Sequence, residues 1–112
     1  MSDLARRVLL DENVDRLLKP LFDANLTVVT VRERGWDGLR NGELLRAASA
    51  EFDVFVTMDR NLPYQQNLRA LDLGVVVIRS VSSAFADVAP QMPAVNRAVG
   101  EAAPGTATVV MR

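Results

Sequence analysis

The chain has 112 residues, 49% of them apolar, and a formal net charge of −1 at neutral pH. That length and composition give one globular domain with a real core, not a disordered chain and not two domains. Cysteine and histidine are both absent, which excludes disulfide stapling, thiolate zinc sites, His-based triads and imidazole bases, and the near-neutral charge argues against a protein that coats duplex nucleic acid.

Any catalysis must therefore come from carboxylates, hydroxyls, arginines or a metal held by oxygen. Of the basic residues only Lys19 is a lysine and the rest are arginines, a bias that suits bidentate phosphate contacts. No apolar run approaches the roughly 20 residues of a membrane span, and Met1 to Arg7 is not followed by a signal-peptide core. A soluble cytoplasmic protein without a membrane segment is expected.

In chain order, Val8-Leu9-Leu10 reads as a strand buried on both faces, ending in Asp11-Glu12-Asn13. Val14, Leu17, Leu18, Leu21 and Phe22 follow at the spacing of one helix face, which predicts a helix ending near Asn25. Asn13 or Asp15 offers its cap, and Pro20 should kink or shorten it. Thr27 to Val31 is a β-branched strand. Arg32 to Arg40 is a polar connection that carries Trp36, the only tryptophan. A second helix starts at Asn41-Gly42-Glu43, with Asn41 as N-cap and Glu43 in the first turn.

Val54 to Thr57 is the third strand, followed by Met58-Asp59-Arg60-Asn61. Pro63 opens a third helix through about Leu71 that Gly74 closes, and Val75 to Ile78 is the fourth strand. Beyond Ser80, Phe85, Val88, Met92, Val95 and Val99 keep a helical spacing that Pro90 and Pro93 divide into two pieces. Thr106 to Met111 is a last strand. Alternation of strands and helices predicts a single three-layer α/β domain with a mostly parallel sheet and right-handed crossovers. The first strand then lies centrally, between strands two and three. Asp11 and Asp59 face each other across a topological switch point, where open α/β sheets bind ligands.

Asp11, Glu12, Glu43 and Asp59 are the candidate catalytic carboxylates, with Asn13, Asn41, Asn61 and Thr57 around them. Carboxylates gathered in one crevice must be protonated, paired or neutralised by a cation, and oxygen-only donors select Mg²⁺ or Mn²⁺. Such an ion activates water for in-line attack on a phosphodiester. Plainer readings stand beside this one. Asp11 can be a helix cap, Glu12 a solvated surface residue, Glu43 a favourable charge at a helix start, and Asp59 with Asn61 an ordinary turn. Arg40, Arg60 and Arg79 are the candidate phosphate contacts. Tyr64 offers a stacking surface for bases, whereas Trp36 is placed in packing ahead of RNA.

The order Leu-Asp-Glu-Asn, Val-Arg-Glu-Arg-Gly, Asn-Gly-Glu-Leu-Leu, Val-Thr-Met-Asp-Arg-Asn and Gly-Val-Val-Val-Ile-Arg resembles the small PIN-like domains of VapC-type toxins in bacterial toxin–antitoxin modules. The resemblance covers about residues 7–79. It implies a Mg²⁺- or Mn²⁺-dependent endoribonuclease, with Asp11 and Asp59 as principal metal ligands, Glu43 in support, and Asn13, Asn41 and Asn61 as amide ligands or their neighbours. It also implies neutralisation by a cognate antitoxin, and the weak C-terminal helices and apolar last strand suggest a surface for that antitoxin or a homodimer. Many relatives carry aspartate where this chain has Asn41 and a second acid where it has Asn61, so metal affinity should be lower. Two other readings compete: a PIN-like scaffold that serves only protein association, and a receiver-like signalling domain, which would need a lysine after its last strand.

Overall fold

The computed structural model describes residues 6–111. Five strands, β1 (Arg7–Leu10), β2 (Thr27–Thr30), β3 (Val54–Thr57), β4 (Gly74–Arg79) and β5 (Ala107–Met111), form an all-parallel sheet in the order β2-β1-β3-β4-β5. Central strands with both faces covered read as continuous apolar runs, and β1, β3 and β4 do so because their residues alternate between two separate cores. Val8, Leu10, Val54, Val56, Val76 and Ile78 face one layer. Leu9, Phe55, Val75 and Val77 face the other. The expected three-layer α/β domain and the central first strand are both observed.

The helices are α1 (Asn41–Glu51), α2 (Leu62–Gln65), α3 (Phe85–Val88) and α4 (Met92–Glu101). Two helix expectations are corrected. The first predicted helix is only a 3₁₀ turn over Arg16–Leu21 with Pro20 inside it, capped by Asp15, whose carboxylate accepts from Leu17 N at 2.9 Å. Val14, Leu18 and Phe22 point inward, whereas Leu17 is 62% exposed. The proline that forbids a regular α-helical ladder also breaks the predicted face. The third predicted helix is α2 plus a separate 3₁₀ turn, Leu68–Ala70, because Gln66 is extended and Asn67 non-helical between them. Gly74 opens β4 instead of closing a helix. A Cβ there would come within 3.0 Å of the Ala102 Cβ and 3.1 Å of the Ala103 carbonyl, a close approach that favours glycine at this crossing.

The expectation of right-handed crossovers throughout is also corrected. The β1 to β2 connection moves one way along the sheet with the Arg16–Leu21 turn on one face. The next two connections move the other way, with α1 and the α2 segment on the opposite face. Reversing both direction and face preserves the hand, so these three share one hand, whereas right-handed crossovers throughout would need all four to agree. From β4 to β5 the direction is kept, yet α3 and α4 lie on the face of the Arg16–Leu21 turn. That crossover therefore has the opposite hand. The physical reason is vacancy: α1, α2 and the Leu68–Ala70 turn already fill one face, while the short Arg16–Leu21 turn leaves the other open for Val88, Met92, Val95 and Val99. Asn96 of α4 seals the junction, accepting from Asp23 N and donating to the Leu21 carbonyl. The far face of β5 is left bare, with Val109 48% and Met111 64% exposed.

Candidate functional site

Asp11 leaves the carboxyl end of β1 and Asp59 lies two residues past β3, the neighbouring strand on the side opposite β2. Between them stands Thr57, the last residue of β3 and fully buried. Its hydroxyl donates to Asp11 Oδ2 at 2.7 Å and accepts from Asn13 Nδ2 at 3.2 Å and from Asp59 N at 3.0 Å. One donor and two acceptor positions exhaust what a hydroxyl can do. Asn13 completes the link, its Oδ1 accepting from Met58 N at 3.0 Å. Asp11 Oδ1 accepts from Glu12 N at 2.8 Å, and Asp59 Oδ1 from Asn61 N at 3.0 Å. Asp11, Asn13 and Asp59 are thus brought together, and Thr57 is the residue that joins them.

The other predicted residues are placed differently. The Glu12 side chain is exposed on the rim. Glu43 lies in the first turn of α1, where its carboxylate faces the Arg40 amide at 3.4 Å, the plain role of a charge at a helix start. The cap position itself is Arg40, not Asn41, which is the first helical residue. Asn61 is exposed and contributes its backbone amide to the Asp59 turn. Among the described residues no three Asp or Glu side chains gather in an arrangement suited to a metal ion. At the strand ends the Asp11 carboxylate and the Asp59 backbone amide share the Thr57 hydroxyl.

Two clefts flank the Asp11-Glu12-Asn13 turn. One, of about 490 Å³, lies over the ends of β1 and β2, between Arg16 and Lys19 on one wall and Thr30, Arg32 and Glu33 on the other. Lys19 Nζ and Glu33 form an ion pair at 2.9 Å across it. Thr30 N donates to Glu33, and that bond, followed by Lys19, lowers the Glu33 carboxyl below its ordinary value. The second cleft, of about 590 Å³, lies over β1, β3 and β4, with Asn13 and Met58 on one side and Ser80, Ser82 and Ser83 on the other. Glu12 and Asp15 border both clefts. No family model, curated protein or solved structure matches this chain.

Arg40, Arg60 and Arg79 are exposed but line neither cleft. Arg16 and Arg32 do, and the sequence reading missed them. Arg32 had a signal, since it follows the second strand at the same carboxyl edge as Asp11. The serines after β4 obey the same positional rule and went unread. Trp36 is held in packing, edge-on to Phe52 at 6.0 Å and covered by the Arg34 guanidinium at 4.4 Å. Tyr64 is 89% exposed, with its ring available.

Proposed function

We propose that the chain is a PIN-like, metal-dependent endoribonuclease acting in the cytoplasm, the toxin of a toxin–antitoxin pair with an antitoxin as its partner. The single observation that supports this reading is the pair Asp11 and Asp59, locked on either side of Thr57 at the switch point between β1 and β3. The donors fit a hard cation: they are all oxygen, and Mg²⁺ commonly takes one or two carboxylates and completes its shell with water and substrate phosphate. When bound, Mg²⁺ or Mn²⁺ would polarise the phosphodiester and supply the water nucleophile. Asp11 and Asp59 would hold it. Thr57 fixes the rotamer of Asp11 by donating to one carboxylate oxygen. Asn13, whose Nδ2 donates to Thr57 and whose Oδ1 accepts from Met58 N, acts through these two residues by holding the turn after β3. Glu12, exposed on the rim, is the group placed to accept a proton from attacking water.

A second reading is favoured by the same network. Asp11, Asn13 and Thr57 satisfy one another internally, which a scaffold used only for protein association would also require. A receiver-like domain shares this strand order, but the one lysine of the sequence, Lys19, follows β1 and is paired with Glu33. The deciding experiment is cleavage of mixed single-stranded RNA with Mn²⁺ by wild type, Asp11→Asn and Asp59→Asn. Metal-dependent cleavage lost in both variants is expected. Inactive wild type, or variants that cleave as well, overturns the nuclease reading in favour of the scaffold.

A further inference from the structure

The two edges of the sheet are finished differently. At the β2 edge the outward backbone groups of Thr30 are already used, its N–H donating to the Glu33 carboxylate and its carbonyl accepting from Arg34 N. Val28 and Val29 pack against the two cores. A loop that folds back over an edge in this way keeps other strands off it. The β5 edge has no such cover. The Thr106 carbonyl accepts from Val75 N, so the residues in step with it, Thr108 and Val110, turn their backbone groups to β4, and Ala107, Val109 and Met111 turn theirs outward. Among the described residues those outward groups have no partner, and the three residues are exposed. The strand, Ala-Thr-Val-Val-Met, also lacks the proline or charge that usually guards an edge.

What fits this edge is the same edge of a second copy. A two-fold axis through Val109 pairs β5 antiparallel with its counterpart, Val109 opposite Val109 and Ala107 opposite Met111, and every outward N–H and C=O of the three residues then meets a partner. On the bare face the smallest of the three side chains stands beside the longest, at both ends of the pairing. On the other face the same operation brings two helices together. α4 packs over both β4 and β5. Asn96 ties one flank of it to the β1–β2 connection through Asp23 and Leu21, and Ala94 and Ala98, each turned about 160° from Asn96, lie on the flank toward the free edge. Strands about 4.8 Å apart then place the two α4 axes about 10 Å from each other, the packing distance of helices, and alanines leave room for that approach.

We propose that the chain forms a two-fold dimer through β5 and the Ala94–Ala98 flank of α4, with one continuous sheet running through both copies. The blocked β2 edges stop the assembly at two. The five residues of β5 fall well short of the roughly 20–30 a side of a standard interface, and the α4 flank enlarges the contact without reaching that size, so the dimer is a reversible one in the micromolar range. Each copy keeps its own Asp11 and Asp59, at opposite ends of the shared sheet, and the inference stands apart from the function proposed above.

The test is sedimentation velocity of the full chain over a concentration series, with cysteine cross-linking to fix the register. Wild type should pass from the 12.3 kDa monomer to twice that mass with a midpoint of about 1–100 µM. Val109→Lys sets two like charges directly opposite each other and should raise the midpoint about tenfold or more. Ala94→Arg should raise it as well, by filling the space between the helices, whereas Leu17→Lys, at an exposed apolar residue of the β1–β2 connection, should leave it unchanged. Val109 and Ala94 are exposed in a single copy, so these variants keep the fold. Residues of a hydrogen-bonded antiparallel pair have Cα atoms about 5.5 Å apart, within disulfide range. The chain has no cysteine of its own, so Val109→Cys with a mild oxidant should give a covalent dimer, Ala107→Cys none, and Ala107→Cys combined with Met111→Cys one again. A chain that stays monomeric up to about 1 mM overturns the proposal and leaves the edge to a strand of another protein. A dimer that Val109→Lys leaves intact, or cross-linking by Ala107→Cys as complete as by Val109→Cys, overturns it too.

Discussion

Replacing Thr57 with valine tests the part of the site that everything else hangs from. The two side chains have nearly the same shape, so the fully buried position gains no cavity and loses only its hydroxyl. Three partners are left. Asp11 Oδ2 loses a donor at 2.7 Å, and hydrogen bonds to a charged group contribute about 1.5–3 kcal/mol. Asp59 N and Asn13 Nδ2 lose an acceptor at 3.0 and 3.2 Å, about 1 kcal/mol each for neutral bonds. The Asn13 side chain is exposed and regains water, so its share largely cancels. A loss of about 2–4 kcal/mol is expected. Urea denaturation at unchanged m-value reads it as a lower midpoint, and Thr57→Ser should recover most of it. A Thr57→Val protein within about 0.5 kcal/mol of wild type, the range of ordinary surface substitutions, would refute the claim that this hydroxyl joins β1 to the Asp59 turn.

Other consequences follow from the fold and its surface. Leu18→Ala should cost about 2–5 kcal/mol in the same denaturation assay, while Leu17→Ala should stay within about 0.5, because only Leu18 enters the core. Glu33 has a lowered folded-state pKa, from the Thr30 amide first and Lys19 second, so its contribution is present above its unfolded value near 4.5 and is lost as pH falls through the folded value. Glu33→Gln should therefore flatten the acid limb of stability below that pH, seen as a smaller drop in Tm between neutral and acidic buffers. Arg34→Ala removes both the cover of Trp36 and the bidentate pairing with Glu51, and the single tryptophan should report it as red-shifted emission with a stability loss of about 1 kcal/mol.

The strands were legible because each solves a problem the sequence states locally. Val8 to Leu10, Val54 to Thr57 and Gly74 to Arg79 are apolar on both faces, and only the middle of a covered parallel sheet accommodates that. The place of β1 between β2 and β3, and with it the position of Asp11 and Asp59 at neighbouring strand ends, followed from the alternation of elements. The Val14 to Phe22 segment was misread because its spacing admits two inward sets, and Pro20 chooses the one with Leu17 outside. Thr57 was noted but not valued, since a β-branched residue in a strand has an ordinary reason to be there. The hand of the last crossover was illegible in principle: it depends on which face is still vacant once the other helices are packed. Arg32 and Ser83 carried only the positional signal of following a strand's carboxyl end, Arg16 carried none, and all three became visible as the walls of clefts.

The sheet contains no hairpin, and this bears on how the chain acquires its shape. Val8 pairs with Val28 on one side but with Val54 on the other, and Val75 must wait for Ala107. Each inner strand therefore waits for a later one: β1 for β3, β3 for β4 and β4 for β5. As the polypeptide emerges from the ribosome, Val8 to Leu10 can gain a partner in β2 yet keeps an open edge until Val54 to Thr57 has been synthesised. Every pairing closes a loop before any contact rewards it, the condition that slows folding. The aspartate and the threonine that define the candidate site lie at the two ends of the longer of the two pairings that β1 makes, so the site needs β3 in place, whereas the two cores are completed only by β4, α4 and β5.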